Sequence, residues 1–332
     1  MDTFGRKFKV SIFGESHGEY IGAVLDGVPQ GIRLSADDFS EDIARRSPGA
    51  RGAAARGEEN TVGTTPRVES DEPLIVSGIL DGCTTGAPLT ILFKNSNTRS
   101  ADYQNFRDTP RPGHADYVAS VKWDGANDPR GGGHFSGRLT LPVVAAGVVA
   151  KKMLEGITFD AHLIEVGGCG NLHKWPEMLK AAAAEGDSLG GVVECVVYDL
   201  PIGLGEPFFD SVESLVSHAV FAIPGVRGIE FGDGFKAARM KGSEHNDPFG
   251  REGRLDKNGA GGINGGLTNG APLHFRVAFK PTASIAKAQR TWTFAKEEMD
   301  TLEIKGRHDV CFALRTPVIV EAMAAIVLAD LI

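Results

Sequence analysis

A repeated segment of twelve residues is the feature that most constrains the fold of this chain. Residues 78–89 read GILDGCTTGAPL and residues 262–273 read GINGGLTNGAPL, so eight positions are identical at an offset of 184. Each copy precedes a β-rich run that ends in Phe-Lys, at residues 93–94 and 279–280. A chance match between glycine-rich segments is the alternative, but eight identities without a gap favour a duplication. In a chain of 332 residues this offset predicts two intertwined halves that form one domain over residues 1–332.

Short β-rich runs alternate with helical patterns along the chain. β-branched and aromatic residues between turn residues predict strands at 8–13, 22–28, 73–79, 88–93, 157–166, 191–199 and 272–279. Apolar periodicity and capping residues predict helices at 36–46, 141–155, 175–185, 210–221, 295–303 and 317–331. Residues 48–65 are rich in Arg and Gly without periodicity, which predicts a mobile loop. The alternation is typical of an α/β protein.

The balance of charge limits the class of ligand. The chain has 35 Lys and Arg against 43 Asp and Glu, a net charge of −8. This balance argues against a general nucleic-acid-binding protein, which would need a basic face, and we expect no nucleic-acid partner. Local arginine clusters can still bind a small anionic substrate. Glycine supplies 43 of the 332 residues, nearly twice the usual share of about 7%, which indicates tight turns or backbone close to a ligand.

The spacing of the cysteines and the length of the apolar runs indicate the cellular compartment of the protein. The four cysteines (Cys83, Cys169, Cys195 and Cys311) form no C-x-x-C pair, so neither a zinc site nor a disulfide scaffold is indicated. The nine histidines include no H-x-H or H-x-x-x-H pair, so we expect no metal centre. The N-terminal residues lack the apolar core of a signal peptide, and no apolar run reaches the length of a membrane span. We therefore expect a cytoplasmic protein with reduced thiols and no membrane partner.

A serine and a histidine follow the first predicted strand. Residues 14–18 read GESHG and formally match G-x-S-x-G, the nucleophile elbow of α/β-hydrolases. The elbow should open a helix, whereas residues 19–28 read as turn and strand. We therefore interpret Ser16 as structural and His17 as an exposed reactive group. A serine hydrolase that uses Ser16 stays open as an alternative function.

A second histidine precedes a glycine-rich junction. His114 follows a rigid Pro-Gly turn in the sequence RPGHAD at 111–116, where the alternative role is a helix cap. Residues 128–138 read DPRGGGHFSGR, with three glycines ahead of imidazole, hydroxyl and guanidinium groups and a predicted helix. Backbone N–H groups at such a junction can bind phosphate, so we favour a phosphate or cofactor cradle over a plain turn. A non-enzymatic anion- or nucleotide-binding module is a second alternative.

Two further polar clusters lie in the C-terminal half. Residues 280–284 read KPTAS after the second repeat's strand, and residues 306–311 read GRHDVC before the last helix. An Arg-His-Asp triplet is commonly a solvated corner of ion pairs. Near the predicted loop, either an anion-binding patch or a charged surface is formed by Arg45, Arg46, Arg51 and Arg56.

The order of these clusters resembles one family, chorismate synthase. The matching segments are FGESHG at 13–18, DGVPQG at 26–31, Arg45-Arg46, TTGAP at 84–88, RPGHADY at 111–117, the glycines at 131–133, GLGEP at 203–207, GDGF at 232–235, KPT at 280–282, GRHD at 306–309 and PVIVEA at 317–322. The resemblance covers practically the whole chain.

The resemblance implies a reaction and a cofactor. The family converts 5-enolpyruvylshikimate 3-phosphate to chorismate by a 1,4-elimination of phosphate, with reduced FMN (FMNH2) and no net redox change. The hydrogen removed is poorly acidic and the leaving group is anionic, so a reduced flavin with imidazole and arginine groups suits the chemistry. Whether NADPH reduces the flavin on this chain stays open. The implied fold is an α/β (α+β) sandwich with helices packed between antiparallel sheets and an internally duplicated core, assembled as a homotetramer.

The resemblance also assigns residues. It implies that His17 protonates the leaving phosphate, that His114 protonates the reduced flavin, and that Asp309 works with flavin N5 to accept the substrate hydrogen. Arg46 matches an arginine near the nicotinamide-dinucleotide or substrate phosphate. The implied flavin contacts are His134, Phe135, Ser136, Glu244, His245, Gly265, Lys280, Pro281, Thr282, Ala283, Ser284 and Arg307.

Three regions of the sequence depart from the family pattern. Ser47 stands where a third consecutive arginine is common. The segment 50–63 is longer than the corresponding segment in the family, so the next basic ligand stays open between Arg51 and Arg56. The cradle has His134, Phe135 and Leu139 where many members read GGGRSSARET. These substitutions predict a cradle of lower positive charge.

Overall fold

The computed structural model of this chain describes residues 2–58, 61–65, 69–96, 106–304, 306 and 308–332. Its strands are β1 (Thr3–Phe4), β2 (Lys9–Gly14), β3 (Tyr20–Asp26), β4 (Leu74–Ser77), β5 (Ile79–Leu80), β6 (Cys83–Thr84), β7 (Leu89–Lys94), β8 (Thr158–Val166), β9 (Gly191–Tyr198), β10 (Val226–Phe231), β11 (Ile263–Asn264), β12 (Leu267–Thr268), β13 (Leu273–Phe279), β14 (Gln289–Thr293) and β15 (Glu298–Leu302). Its α-helices are α1 (Ser40–Arg46), α2 (Gly49–Ala55), α3 (Asp116–Lys122), α4 (Thr140–Met153), α5 (Trp175–Ala184), α6 (Val212–Val220), α7 (Gly242–His245) and α8 (Pro317–Leu331).

Two antiparallel sheets have the same internal strand order. The first sheet has the order β1-β2-β3-β7-β4 and the second has the order β10-β13-β9-β8. Taken along the chain, β2, β3, β4 and β7 therefore have the same neighbours as β8, β9, β10 and β13. Phe93 of β7 pairs with β3, and Phe279 of β13 pairs with β9, so the two Phe-Lys ends occupy equivalent strands. The core is internally duplicated, as the fold class predicts.

The repeated segment forms the same hairpin in both halves. β5 pairs with β6, and β11 pairs with β12. The Thr84 hydroxyl donates to the Pro29 carbonyl at 2.6 Å and accepts at 2.9 Å from the amide three residues after that proline. The Thr268 hydroxyl makes the same two bonds around Pro201, at 2.6 Å and 2.9 Å. This threonine is one reason why the segment has kept its sequence pattern in both halves.

Helices fill the space between the sheets. α4 and α8 pack against each other, α4 also contacts β3, and α8 contacts β8 and β9. The close approach depends on Gly147, where a Cβ would lie 2.3 Å from the Cβ of Ala322. Residues 140–150 of α4 and 317–330 of α8 are all buried, which is why both helices are apolar on every side. The fold is the predicted α+β sandwich with helices between antiparallel sheets.

One acid is buried between these helices and is fully paired. The Glu321 carboxylate on α8 accepts from both terminal nitrogens of Arg45, at 2.5 Å and 2.9 Å, and from the amide of Ala161 at 3.1 Å. Lys151 of α4 donates to Glu321 and to Asp42, each at 2.8 Å. Burial alone would lower the pKa of Lys151, but the two carboxylates outweigh burial and raise it. The network joins α1, α4 and α8 at a charged point inside the core.

Two predicted segments are wrong. Residues 295–303, predicted as a helix, belong to the β14–β15 hairpin, in which Thr293 pairs with Glu298 and Glu297 adopts a positive φ of 54°. A residue with that φ ends a helix but fits a tight turn. Residues 48–65, predicted as a mobile loop, contain α2, in which alanine-rich sequence favours a helix despite two glycines. All seven predicted strand runs contain strands, whereas β10 and α3 were not predicted.

Within the described ranges, no helix is long and apolar enough to cross a bilayer. Nor do three His, Cys, Asp or Glu side chains of the described residues converge as ligands of a metal ion. The four cysteines are free, and burial raises the pKa of the Cys311 thiol to about 12.

Candidate active site

A cavity of about 1080 Å³ brings together the clusters that the sequence places far apart. It is lined by the loop after α1, the segment 113–115, the glycine cradle, residues 280–284 and the segment before α8. Seven cationic side chains line it: Arg46, Arg51, Arg111, Arg138, Arg227, Lys280 and Arg315. Four acids also line it: Asp2, Glu69, Asp71 and Asp309. The described lining thus carries an excess of three positive charges inside a chain of net charge −8.

His17 lies against the back of the glycine cradle. A Cβ on Gly131 would lie 2.6 Å from His17 Nε2 and 2.7 Å from Ser16 Oγ, and Gly131 itself lines the cavity. Gly131 has a φ of 61°, a conformation that glycine adopts without strain. His17 is therefore buried, with 9% exposure, and the prediction that it is exposed is wrong. Its ring is covered because the cradle folds over it.

Ser16 does not form a nucleophile elbow. The turn that follows it leads into β3 rather than into a helix, so the strand–turn–helix geometry of the hydrolase motif is missing here. Its backbone amide donates to the carbonyl of Gly133 at 3.1 Å, which attaches this turn to the cradle. The hydroxyl is buried and has no hydrogen-bond partner among the described residues.

His114 faces the cradle from the cavity side. A Cβ on Gly132 would lie 3.3 Å from His114 Nε2, while His114 Nδ1 lies 2.7 Å from Asp116 Oδ1. Asp116 also accepts from Nε and Nη2 of Arg111, each at 2.7 Å. Burial alone would raise the pKa of Asp116, but hydrogen bonds from Arg111 and His114 hold it well below its usual range. Asp116 is therefore ionised at neutral pH.

Asp309 lies in the same cavity and is held on both oxygens. Oδ1 accepts from the amide of Thr65 at 2.9 Å, and Oδ2 accepts from Nε and Nη2 of Arg315 at 3.1 Å and 2.8 Å. Asp309 is buried, with 8% exposure. Its partner is thus Arg315, six residues along the chain, and the reading of this triplet as a solvated corner is wrong for Asp309.

A buried ion network forms another wall of the cavity. Arg46 lies 3.5 Å from Asp71 and donates to Thr140 Oγ1 at 2.9 Å. Arg138 pairs with Asp71 and, at 3.1 Å, with Glu69. Burial lowers the pKa of Arg46 to about 9, with Asp71 opposing that shift, so the group stays cationic at neutral pH. The wall thus holds two guanidinium groups in fixed positions, balanced by the carboxylates of Asp71 and Glu69.

Eight of the predicted flavin contacts line the cavity. They are His134, Phe135, Ser136, Lys280, Pro281, Thr282, Ala283 and Ser284. His134 is fixed by Gly14 O at 2.8 Å and by Asp2 at 3.2 Å, and Ser284 Oγ accepts from Arg111 at 3.0 Å. Burial, together with the charge of Arg227, lowers the pKa of Lys280.

Three predicted flavin contacts do not line this cavity. Glu244 and His245 lie in α7, where His245 Nδ1 is 3.1 Å from Asp233 and Glu244 accepts from the Lys241 amide at 2.9 Å. Gly265 lies in the turn between β11 and β12. Their assignment stays a prediction. Arg307 falls outside the described residues.

Three cavity residues were not singled out from the sequence. Arg138 was noted only as part of the cradle sequence, although its place after three glycines was a signal for anion binding. Arg315 and Asp71 carried no local motif. They are recognisable only through their partners in the folded chain, which are Asp309 for Arg315 and Arg46 for Asp71.

Known proteins that are similar to this chain match it over nearly its whole length. The chorismate synthase family model matches residues 8–332. The chain is 57% identical over 332 residues to a chorismate synthase of Chitinophaga pinensis, covering 99% of this chain and 96% of that protein. It is 43% identical over 359 residues to one from Korarchaeum cryptofilum, at 99% and 96% coverage. A crystal structure of chorismate synthase superposes with a TM-score of 0.72 at 25% identity, covering 99% of this chain and 92% of that one. The chain belongs to the chorismate synthase family.

Proposed function

We propose that this cavity catalyses the 1,4-elimination of phosphate from 5-enolpyruvylshikimate 3-phosphate to give chorismate. The family is one of lyases, and its name places the chain in aromatic biosynthesis. The observation that carries the proposal is the presence of His114 and Asp309 in one cavity with an excess of positive charge. A small substrate with two carboxylates and a phosphate needs such charge, whereas the acidic chain as a whole would repel it.

The cavity suits a flavin as well as the substrate. Its volume of about 1080 Å³ exceeds what one small sugar-like phosphate needs. Thr282, which lines it, has a buried hydroxyl with no hydrogen-bond partner among the described residues, as a ligand-binding group would. Lys280 and residues 134–136 would hold FMN, together with Ser284. When bound, reduced FMN supplies electron density to the reacting system.

The arginines orient and stabilise the leaving group. Arg46 and Arg138 are held by Asp71, so their guanidinium groups need no reorganisation when an anion binds. Their fixed positions also lower the entropic cost of binding the substrate phosphate. Of Arg51 and Arg56, only Arg51 lines the same cavity, which makes it the candidate for the next basic ligand. Arg56 instead pairs with Glu58 at 2.8 Å.

Three side chains handle protons. By the resemblance, His17 would supply the proton for the departing phosphate, although its ring lies behind Gly131 and does not itself line the cavity. His114 would exchange a proton at Nε2, its nitrogen on the cavity side of the cradle. Asp309 accepts the substrate proton at Oδ1, which keeps a lone pair beside the bond from Thr65, whereas both lone pairs of Oδ2 are directed to Arg315. The surrounding protein keeps water away from these groups, which strengthens each interaction.

The assembly and the compartment belong to the same proposal. We expect a homotetramer in the cytoplasm, with no nucleic-acid partner, and NADPH as the candidate reductant of the flavin.

An anaerobic assay of phosphate release tests the function, with photoreduced or oxidised FMN, each with and without NADPH. We expect release with photoreduced FMN and none with oxidised FMN alone. Release with oxidised FMN and NADPH means that the chain reduces its own flavin. Equal release with oxidised FMN alone, or none with reduced FMN, contradicts the proposal.

A further inference from the structure

We propose that Asp116 is the positioning residue for His114: its carboxylate holds the imidazole with a proton on Nδ1 and presents Nε2 to the cavity. This inference deepens the proposed function, because it says which nitrogen of His114 exchanges a proton there. The evidence is a set of short contacts between Asp116, His114 and Arg111, at the junction of the Pro-Gly turn and α3.

The contact between Asp116 and His114 determines the tautomer. Oδ1 of Asp116 lies 2.7 Å from Nδ1 of His114. An ionised carboxylate only accepts hydrogen bonds, so two lone pairs would face each other at this distance if Nδ1 carried no proton. Arg111 Nη2 has two hydrogens, and the one not directed to Oδ1 could donate to Nδ1 at 3.1 Å only if Nδ1 carried no proton; the shorter contact of 2.7 Å with the carboxylate outweighs that bond. The proton therefore lies on Nδ1, and Nε2 near Gly132 is the nitrogen left for ligands.

Asp116 is itself rigidly held. Its side chain is 4% exposed and that of Arg111 is 3% exposed, so neither is within easy reach of solvent. Oδ2 accepts from both the amide and Nε of Arg111, at 3.1 Å and 2.7 Å. Arg111 is fixed in turn by Ser284 Oγ at 3.0 Å and by the Phe106 ring, whose centroid lies 4.6 Å from its Cζ. Nε, Nη1 and Nη2 of Arg111 each make a bond within this support, although the side chain lines the cavity.

The arrangement gives His114 two properties. With Nδ1 bound to Asp116, Nε2 is the nitrogen through which His114 exchanges a proton with a ligand in the cavity. Arg111 offsets part of the charge of the Asp116 carboxylate and keeps it ionised, so the Nδ1 proton stays on the ring. A ring fixed at Nδ1 also cannot rotate to exchange its two nitrogens.

The direct test is nitrogen-15 NMR of the full-length protein with labelled histidine, with the His114 signals assigned by comparison with His114→Gln. At a pH where the ring is neutral, we expect the shifts of a protonated Nδ1 and an unprotonated Nε2. The opposite tautomer in the unmodified protein overturns the proposal without any further variant. A protein with the expected tautomer and no lyase activity contradicts the proposed function and leaves this inference intact.

Variants separate positioning from simple support of the fold. In Asp116→Asn the amide can donate to Nδ1, so we expect a mixture of tautomers and a fall in kcat of about 10- to 100-fold at nearly unchanged KM. Asp116→Glu keeps the carboxylate and should restore the Nδ1-protonated form. Asp210→Asn, which breaks an Arg–Asp pair with Arg6 at 2.8 Å, is the matched control and should change neither property. A wild-type tautomer together with a wild-type kcat in Asp116→Asn overturns the proposal.

Discussion

His17 and His114 approach the same glycine cradle from opposite sides, so each is expected to matter separately. His17→Ala and His114→Ala should each lower turnover by roughly one to three orders of magnitude, as for the loss of a general acid. FMN affinity should survive in His17→Ala, because His17 is not among the residues that line the cavity. Steady-state assays under anaerobic conditions and flavin titrations measure both effects. His173→Ala, at an exposed histidine, is the control. Wild-type turnover in both variants would make the histidines structural.

Replacing Asp309 should change both the rate of the reaction and the stability of the fold, and the two effects can be measured separately. Asp309→Asn removes the group that accepts the proton, and we expect single-turnover chorismate formation to fall about a hundredfold or more, with normal FMN binding. The variant also leaves the half-buried Arg315 without its anion, which should lower the free energy of unfolding by roughly 3 kcal/mol. Substrate deuterated at the departing hydrogen distinguishes the effects. A wild-type rate with an unchanged isotope effect would exclude Asp309 from the chemistry.

The stability of the fold should depend on the close packing of α4 against α8. Gly147→Ala adds a methyl group where a Cβ would lie 2.6 Å from the backbone Cα of Ala322, so the helices must move apart. We expect the free energy of unfolding in urea to fall by about 1–3 kcal/mol, the usual cost of overpacking a core. Gly242→Ala is the control, since a Cβ there meets nothing within 4 Å. Equal stability of both variants would mean that this crossing tolerates expansion.

The prediction of elements succeeded where pattern and burial agree. The strands at 191–199 and 272–279 and the helix at 317–331 were predictable because their sequences are apolar or alternate over their whole length. The helix predicted at 295–303 failed because one residue in a positive-φ turn, Glu297, decides between a helix and a hairpin. α2 was missed because it is short and contains glycines, which weaken local helix preference while packing sustains it.

For the molecule as a whole, the repeat predicted the duplicated core, and the order of motifs predicted the family. What the sequence could not reveal is pairing across long distances. Asp71 pairs with Arg46, and the amide of Thr65 donates to Asp309 across 244 positions, whereas the pair of Arg315 with Asp309 spans only six residues. Such contacts leave no local pattern, because each partner alone looks like an ordinary surface charge.

The free energy of unfolding of the whole molecule should decrease at acidic pH. Asp71 and Asp116 are each held by arginines, and their pKa values in the folded state are below the ordinary value of 3.8. A carboxylate with a lowered pKa stabilises the fold above its unfolded pKa, and this contribution is lost as the pH falls toward the folded value. Urea unfolding at fixed temperature should therefore give a nearly constant free energy from pH 7 to about 5 and a decline below about pH 4. A free energy that stays constant down to about pH 3 would contradict this account.

The central claim is that one cavity, which combines proton-handling groups with fixed positive charge, carries out a redox-neutral elimination. The most direct test follows chorismate, phosphate and the flavin spectrum together in one anaerobic reaction with reduced FMN and limiting 5-enolpyruvylshikimate 3-phosphate. The account predicts equimolar chorismate and phosphate, with the flavin still reduced when the substrate is exhausted. Phosphate without chorismate, or oxidation of the flavin in proportion to product, would contradict it.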